Sequence, residues 1–444
     1  MWKKQLWVIW IIAVVITTTA CSSSSEETRT TEKAIAKDGK TIVTLSIQES
    51  SAFYQIVEKK FEEKYPDIDL QIQSQKQAGE AWGAGDYEKY KKTTNTALLS
   101  GKGADIIEAG SLPIDEYMNK KLLVNLEEYL NKDSGLNKND LQTNVLEAIK
   151  QNGGLYAIPD GYSLRAFIGD GDILANTNVD VNNWTWNEFI EVSKELLKKA
   201  EQMNKDTRYA MANDPPELIL QEMVVDSYPS WVDHAGKKAS FDSADFMDML
   251  QNIKKMVEEE VITSAPADMG KQLFYSAVLR SPVDFIDGTH IFFSNPKLLN
   301  KPHNGQTGGM RIIPTSQFVI QANSPVKEEA WKFIAFLLSE EAQALQERQG
   351  FSLLKSVNEK QLDEIQQQVK SGSYKLSNGQ SAQVSDNEFA QFKKIMQSGG
   401  QFAQLDGQVI SIVGEEAISF FNGQKSVEEV AKLIQNRITT FLNE

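Results

Sequence analysis

Residues 41–108 switch repeatedly between a two-residue and a 3.6-residue hydrophobic period, which restricts the chain to an α/β architecture. Thr41-Ile42-Val43-Thr44-Leu45-Ser46-Ile47 alternates polar and apolar positions with β-branched residues and predicts a strand. Ser50 or Ser51 can cap the helix that follows, where Phe53, Ile56, Val57 and Phe61 share one face. Pro66 ends that helix, and Ile68 to Ile72 alternates again as a second strand. Strand, helix and strand joined by short links imply a parallel pair with a right-handed crossover. Tyr87 to Leu99 predicts another helix, and after Gly101-Lys102-Gly103 a strand runs from Ala104 to Glu108. The strand carboxyl ends then fall at Gln48–Ser51 and Ala109–Ser111, and open α/β sheets bind ligands outside such ends.

Further along, Thr185 and Glu188 form a capping box ahead of Phe189, Val192 and Leu196. Phe241 to Glu258 has helical spacing, and Ser324-Pro325 opens a helix with Trp331, Ile334 and Leu338 on its core face. Ser426 and Glu429 cap a last amphipathic helix carrying Val427, Val430, Ile434 and Phe441. Strand signals after the first α/β unit are sparse and irregular.

Cys21 is the only cysteine of the 444 residues, so no intrachain disulfide can form and burial must stabilise the fold. It follows Lys3, Lys4 and an apolar run from Leu6 to Ile16, the layout of a secretory signal, and that run is too short to span a bilayer. A cysteine at the cut resembles the lipobox of bacterial lipoproteins, although Thr18 stands where that family usually has Leu. The resemblance implies lipidation of Cys21 and a tether to the outer face of the cytoplasmic membrane, with a Gram-positive surface favoured; an unpaired cysteine in a soluble exported protein is the alternative. Ser22 to Glu32 has no apolar side chain and reads as a flexible tether, with folded structure beginning near Lys40. Cleavage before Cys21 removes Lys3 and Lys4 and takes the net charge from −15 to −17, which argues against nucleic acid or anionic head groups as partners.

Six segments in order resemble the family 1 extracellular solute-binding proteins, the bacterial sugar-binding class. They are Phe61-Glu62-Glu63-Lys64-Tyr65-Pro66-Asp67-Ile68, Leu99 to Ile107, Gly154-Leu155-Tyr156-Ala157-Ile158-Pro159, Trp184 to Phe189, Ala330-Trp331-Lys332-Phe333-Ile334, and Gly414 through Ile438. The resemblance implies two discontinuous α/β lobes, 41–160 with 318–352 and 164–314 with 356–444, joined by crossovers near 159–164, 314–319 and 352–357. It also implies a monomer that closes on a carbohydrate and hands it to the permease subunits of an ABC importer, with no cofactor and no catalysis. Gly169-Asp170 replaces the family's Tyr-Asn pair, and Phe274 to Phe293 replaces its Gly-Lys-x-Ala-Met strand, so ligand identity does not carry over.

A neutral sugar needs carboxylates and amides for its hydroxyls and aromatic faces for its C–H surfaces. In the first lobe the candidates are Glu49, Ser50, Ser51, Glu108, Gly110 and Ser111, with Ser50 and Ser51 alternatively helix caps and Gly110 alternatively a turn residue. Trp82, in the glycine-rich and aperiodic Gly79-Glu80-Ala81-Trp82-Gly83-Ala84-Gly85, is a candidate stacking platform, and so is Trp231, which the resemblance implies lies in a cleft loop; local packing is the alternative for each, whereas Trp186 and Trp331 sit in core stripes. Asp160, Tyr162 and Ser163 follow the first crossover, Arg165 either meets an anionic sugar or balances an acid, and Asp406 and Gln408 are second-lobe candidates. His234, His290 and His303 are isolated, and no metal, nucleophile-elbow or phosphate-loop motif occurs. Asn176, Asn178, Asp180 and Asn182 have calcium-loop spacing but lack its glycine and glutamate, having Val181 and Asn187. The 61 acids leave a glycoside-processing enzyme open, which would need a carboxyl pair across the cleft, and a sensor reporting to a membrane kinase is the third reading.

Overall fold

The computed structural model describes residues 33–443 except 84, 111, 176–183, 235, 304–309, 399 and 403–404. Cys21, the tether through residue 32, Ser111 and the Asn176–Asn182 run therefore lie outside the described residues. The alternating segment forms β1 (Thr41–Glu49), α1 (Ala52–Lys64), β2 (Ile68–Lys76), α2 (Asp86–Leu99) and β3 (Ile106–Glu108), followed by α3 (Ile114–Asn119). β1 lies between β2 and β3 and is parallel to both, as the short strand–helix–strand links require. Ser51 is the N-cap of α1 and accepts from Tyr54 N at 3.4 Å.

The chain then forms β4 (Ile158–Pro159), β5 (Tyr162–Asp170) and β6 (Met211–Ala212), a small hairpin of β7 (Val232–Asp233) and β8 (Lys238–Ala239), and β9 (Ile262–Thr263). β10 (Phe274–Leu279), β11 (Pro296–Leu299), β12 (Arg311–Pro314) and β13 (Gln317–Ile320) complete the strands. The first sheet has the order β2-β1-β3-β13-β4; in the second, β5 pairs antiparallel with β10, β11 and β12. The fold is a two-lobed α/β architecture.

Side-chain alternation decides what each sheet face covers. Val43, Leu45 and Ile47 point toward Phe53, Val57 and Phe61 of α1 and toward Phe333 and Ile334 of the Lys327–Leu337 helix. Burying side chains of this size is worth about 1.5–3 kcal/mol each. Ile107 and Val319 face the other way, against Tyr90 and Leu98 of α2 and Tyr117 of α3. In the second sheet, Leu164, Ala166 and Ile168 of β5 pack with Leu279, Phe285 and Phe389, while Phe167 joins Trp184, Phe189 and Phe274. β5 is thus buried on both faces: Ser163 and Arg165 alternate with apolar Leu164 and Ala166, but Phe167 breaks the pattern, so the alternation is too short to mark a regular strand.

Helix starts follow the caps closely. The Thr185–Glu188 box begins the Trp186–Gln202 helix with both reciprocal bonds present. Ser426 caps the Val427–Asn443 helix. Ser243 rather than Phe241 sets the start of the Ala244–Glu258 helix, and Pro325 precedes a helix whose first residue is Lys327. Trp186 and Trp331 are buried, the latter donating to Asp133 at 2.9 Å.

Three chain segments meet between the sheets. Pro159 ends β4 and Tyr162 begins β5; Pro314 ends β12 and Gln317 begins β13. The linking residues are laced together, with Thr315 N donating to Gly161 O at 3.0 Å and Asp160 N to Ser316 O at 3.1 Å. Tyr162 and Phe351 exchange backbone bonds at 3.1 and 2.6 Å, bringing in the third segment. Gly161 lies so close that a Cβ there would stand 2.8 Å from the carbonyl oxygens of Gln349 and Phe351.

Candidate functional site

The first-lobe rim is built at the carboxyl ends of β1 and β3, where backbone groups and side chains project past the sheet. Glu49 ends β1 and accepts the indole Nε1–H of Trp82 at 2.9 Å and the N–H of Gly79 at 3.4 Å. Trp82 is 39% exposed, a large aromatic surface held at the rim by a carboxylate. The Lys76–Asp86 ion pair, 2.7 Å, closes the base of this loop and holds the Asp86 carboxyl below its ordinary range. Ser50 N donates to Lys76 O at 2.9 Å, and Ser51 is committed as a helix cap. Gly110 sits at the end of β3 against the backbone of Gln317.

Behind the rim lies a buried polar cluster. Glu108 accepts from Gln48 N at 2.7 Å and from the hydroxyl of Ser316, which also accepts from Tyr54 Oη at 3.1 Å. Burial pushes the Glu108 carboxyl up. Asp160 is enclosed more completely: Thr315 Oγ1 donates to Oδ1 at 2.6 Å, and the buried Arg348 guanidinium lies nearby. Burial raises Asp160 to about 7 despite the Thr315 hydrogen bond and the Arg348 charge. Arg348 is itself anchored to the carbonyls of Gln343, Gln349 and Phe351, each at 3.0 Å. Asp160 therefore belongs to the crossover rather than to an open wall. Tyr162, expected beside the ligand, is fully buried against Phe351 with its hydroxyl on Met396 O at 3.3 Å; the cause is its place as first residue of the central strand. Ser163 is buried in the β5–β12 ladder opposite Ile313.

Trp231 also needs correction as a stacking platform. It is 5% exposed, donates to Ser227 Oγ at 2.8 Å and stacks on Phe241 with centroids 6.1 Å apart, so its ring is part of the second core. Arg165 meets an acid rather than open space: Glu222 Oε2 lies 3.3 Å from its Nε, and Lys301 and Arg311 each approach the same oxygen at 3.2 Å. Together these cations hold the Glu222 carboxyl below its ordinary range even though burial opposes them.

The second lobe presents other groups that the sequence reading missed. β6 and β9 are parallel, and beyond their carboxyl ends a cavity of about 320 Å³ is lined by Asp214, Gln272, Tyr275, Ser276 and Phe292 among others. Tyr275 and Phe292 stack at 4.0 Å, and burial raises the Asp214 carboxyl against the pull of Arg165. The polar turn Asn213-Asp214-Pro215-Pro216 was the available signal, a break between strand and helix at a carboxyl end.

Asp406 caps the Gly407–Phe421 helix, accepting from Gln408 N at 2.8 Å, and lies 4.0 Å from Lys91 of α2. Gln408 lines a groove of about 550 Å³ with Glu88 and Lys91 of α2 and with Arg437 and Phe441 of the last helix. The α2 helix and the last helix thus meet here, with Lys91 Nζ 5.9 Å from the Phe441 ring. Among the described residues no group of three or more His, Cys, Asp or Glu side chains could hold a metal ion, and no helix is long and apolar enough to cross a membrane.

The profile of the family described as bacterial extracellular solute-binding protein matches residues 45–344, and the chain belongs to that family. Solved structures share its architecture. The sugar-binding protein MalE of Xanthomonas citri has 16% identity and a TM-score of 0.59, over 91% of this chain and 98% of that one. A family 1 solute-binding protein of Alicyclobacillus acidocaldarius gives 17% and 0.58, over 91% and 99%. An ABC substrate-binding protein of Listeria monocytogenes, in complex with cycloalternan, gives 18% and 0.55, over 91% and 99%. At such identities the likeness establishes the fold alone.

Proposed function

We propose that the chain is exported, cut before Cys21 and lipid-anchored outside the cytoplasmic membrane, where it captures a carbohydrate between its lobes and delivers it to an ABC importer. Lobe boundaries at 41–160 with 318–352 and 164–314 with 356–444 follow from this reading, with closure by hinge motion at the laced crossovers. The observation that carries it is the exposed Trp82 ring fixed at the end of β1 by the Glu49 carboxylate, an apolar face for a sugar's C–H surface set in a polar rim. Asp214, Gln272 and the Tyr275–Phe292 stack offer the same chemistry in the second lobe. Gly110, Asp406 and Gln408 remain candidate contacts, Ser50 and Ser51 are secondary, and the buried Glu108, Asp160, Tyr162, Ser163 and Trp231 leave the set. Sugar ligands of neighbours, cycloalternan in the Listeria protein and tagatose in a Thermotoga lettingae one, support the ligand class.

A catalytic reading would need two carboxyls open to substrate. The two carboxyls that burial gives a raised affinity for protons, Glu108 and Asp160, are enclosed, and Asp160 is occupied by Thr315. Binding without chemistry fits this enclosure. The test is thermal unfolding of residues 22–444 against mono- and oligosaccharides, with amino acids and peptides as controls. A true ligand at one hundred times its Kd stabilises the folded state by about 2.7 kcal/mol. A shift with one sugar class, the sugar recovered intact, is expected; no shift with any sugar refutes the ligand class, and sugar breakdown turns the reading toward an enzyme.

A further inference from the structure

We propose that Glu49 is a positioning residue, whose carboxylate presets the Trp82 indole as a rigid stacking face instead of binding the sugar. The inference rests on the reading that Trp82 stacks on a ligand. An exposed tryptophan on a loop ordinarily samples several rotamers, and fixing one on binding costs free energy that a preset ring avoids. Here each carboxylate oxygen of Glu49 is engaged by the loop: Oε2 takes the indole N–H at 2.9 Å and Oε1 the Gly79 N–H at 3.4 Å.

The loop is tied down at further points. Glu80 accepts from Gln77 N at 3.0 Å, Asp86 accepts from Gly83 N at 2.8 Å, and Lys76 bridges Asp86 and reaches Ala81 O at 3.4 Å. Gly79 and Gly85 adopt φ of 79° and 88°, values that let the chain turn tightly at both ends of the segment. The indole is therefore fastened through its ring nitrogen to the end of β1, the most extensively paired strand of the first sheet, and not through the loop alone.

The test uses Glu49→Ala and Glu49→Gln, since a glutamine oxygen can still accept the indole proton. The first measurement needs no ligand: the Trp82 contribution to near-UV circular dichroism and fluorescence anisotropy, isolated by subtracting Trp82→Phe. Glu49→Ala is expected to abolish the dichroic band and loosen the ring, and Glu49→Gln to keep both. An unchanged Trp82 signal in Glu49→Ala overturns the proposal. The second measurement titrates glucose, maltose and maltotriose. Glu49→Ala is expected to weaken binding about tenfold, the scale of one lost charged hydrogen bond, yet to cost nothing further in a Trp82→Ala background. A full additional loss in that background means Glu49 touches sugar and refutes the positioning role. If none of the three sugars binds the natural protein, the stacking reading falls for these ligands, while the spectroscopic arm still decides whether Glu49 orients the ring.

Discussion

Replacing Asp160 by Asn should change how stability depends on pH more than it changes stability itself. In the folded protein burial raises the carboxyl from 3.8 to about 7, so the native state holds a proton that the unfolded chain releases. Stability from this group is therefore fully present below about pH 4 and is lost as pH rises through the window to about 7. The full loss is roughly 4 kcal/mol at about 1.4 kcal/mol per pH unit, and about 2.6 kcal/mol of it falls between pH 5 and pH 8. Asparagine is uncharged at every pH and keeps an oxygen for the Thr315 hydroxyl, so the variant lacks this term. Urea unfolding of both proteins at pH 5 and pH 8 gives the difference directly, and other titrating groups largely cancel in it. The variant is expected to gain on the natural protein by about 2–3 kcal/mol between the two pH values. A stability difference that stays constant within about 0.5 kcal/mol would show that Asp160 does not hold its proton through burial at the crossover.

Two further substitutions probe the packing. Gly161→Ala should destabilise by about 1–3 kcal/mol in urea unfolding, because the new Cβ meets the Gln349 and Phe351 carbonyl oxygens at 2.8 Å and backbone cannot swing aside; unchanged stability would mean the crossover tolerates separation. Trp231→Ala should cost about 3–5 kcal/mol by opening a cavity beside Phe241 and Phe246, whereas Trp82→Ala should leave stability within about 0.5 kcal/mol and weaken ligand. The reverse pattern in thermal unfolding would return Trp231 to the site.

Trp82 and Trp231 show where reading the chain reaches its end. Trp82 lies in a glycine-rich stretch without helical or strand period, and the resemblance implies a cleft loop at Trp231, so the two carry the same expectation, although Trp231 ends the short Tyr228–Trp231 helix. What separates them is partner availability: Ser227 and two phenylalanines close over Trp231, while Trp82 finds one carboxylate and solvent. The spacing of Ser227 and Trp231, four residues apart, was a faint sign of a helical turn. Tyr162 shares its strand side with Leu164 and Ala166, which are buried in the same core, and this short alternation points it inward rather than toward a ligand.

Local patterns were sufficient for the parallel β1–β2–β3 unit, the helix caps at Thr185 and Ser426, a cap at Ser50 or Ser51 that the structure resolves to Ser51, and the carboxyl ends that became the first-lobe rim. Periods and caps act over a few residues, so they survive in the sequence as spacing. The crossover cluster could not be read this way. Asp160, Thr315 and Arg348 are far apart in the chain and have ordinary surroundings in it, and their chemistry exists only because folding removes water from all three together. The same holds for the Glu222 ion-pair hub and the Asp214 cavity, whose members come from separate strands and helices. Burial and charge pairing depend on distance in space, which the order of residues encodes only through the fold.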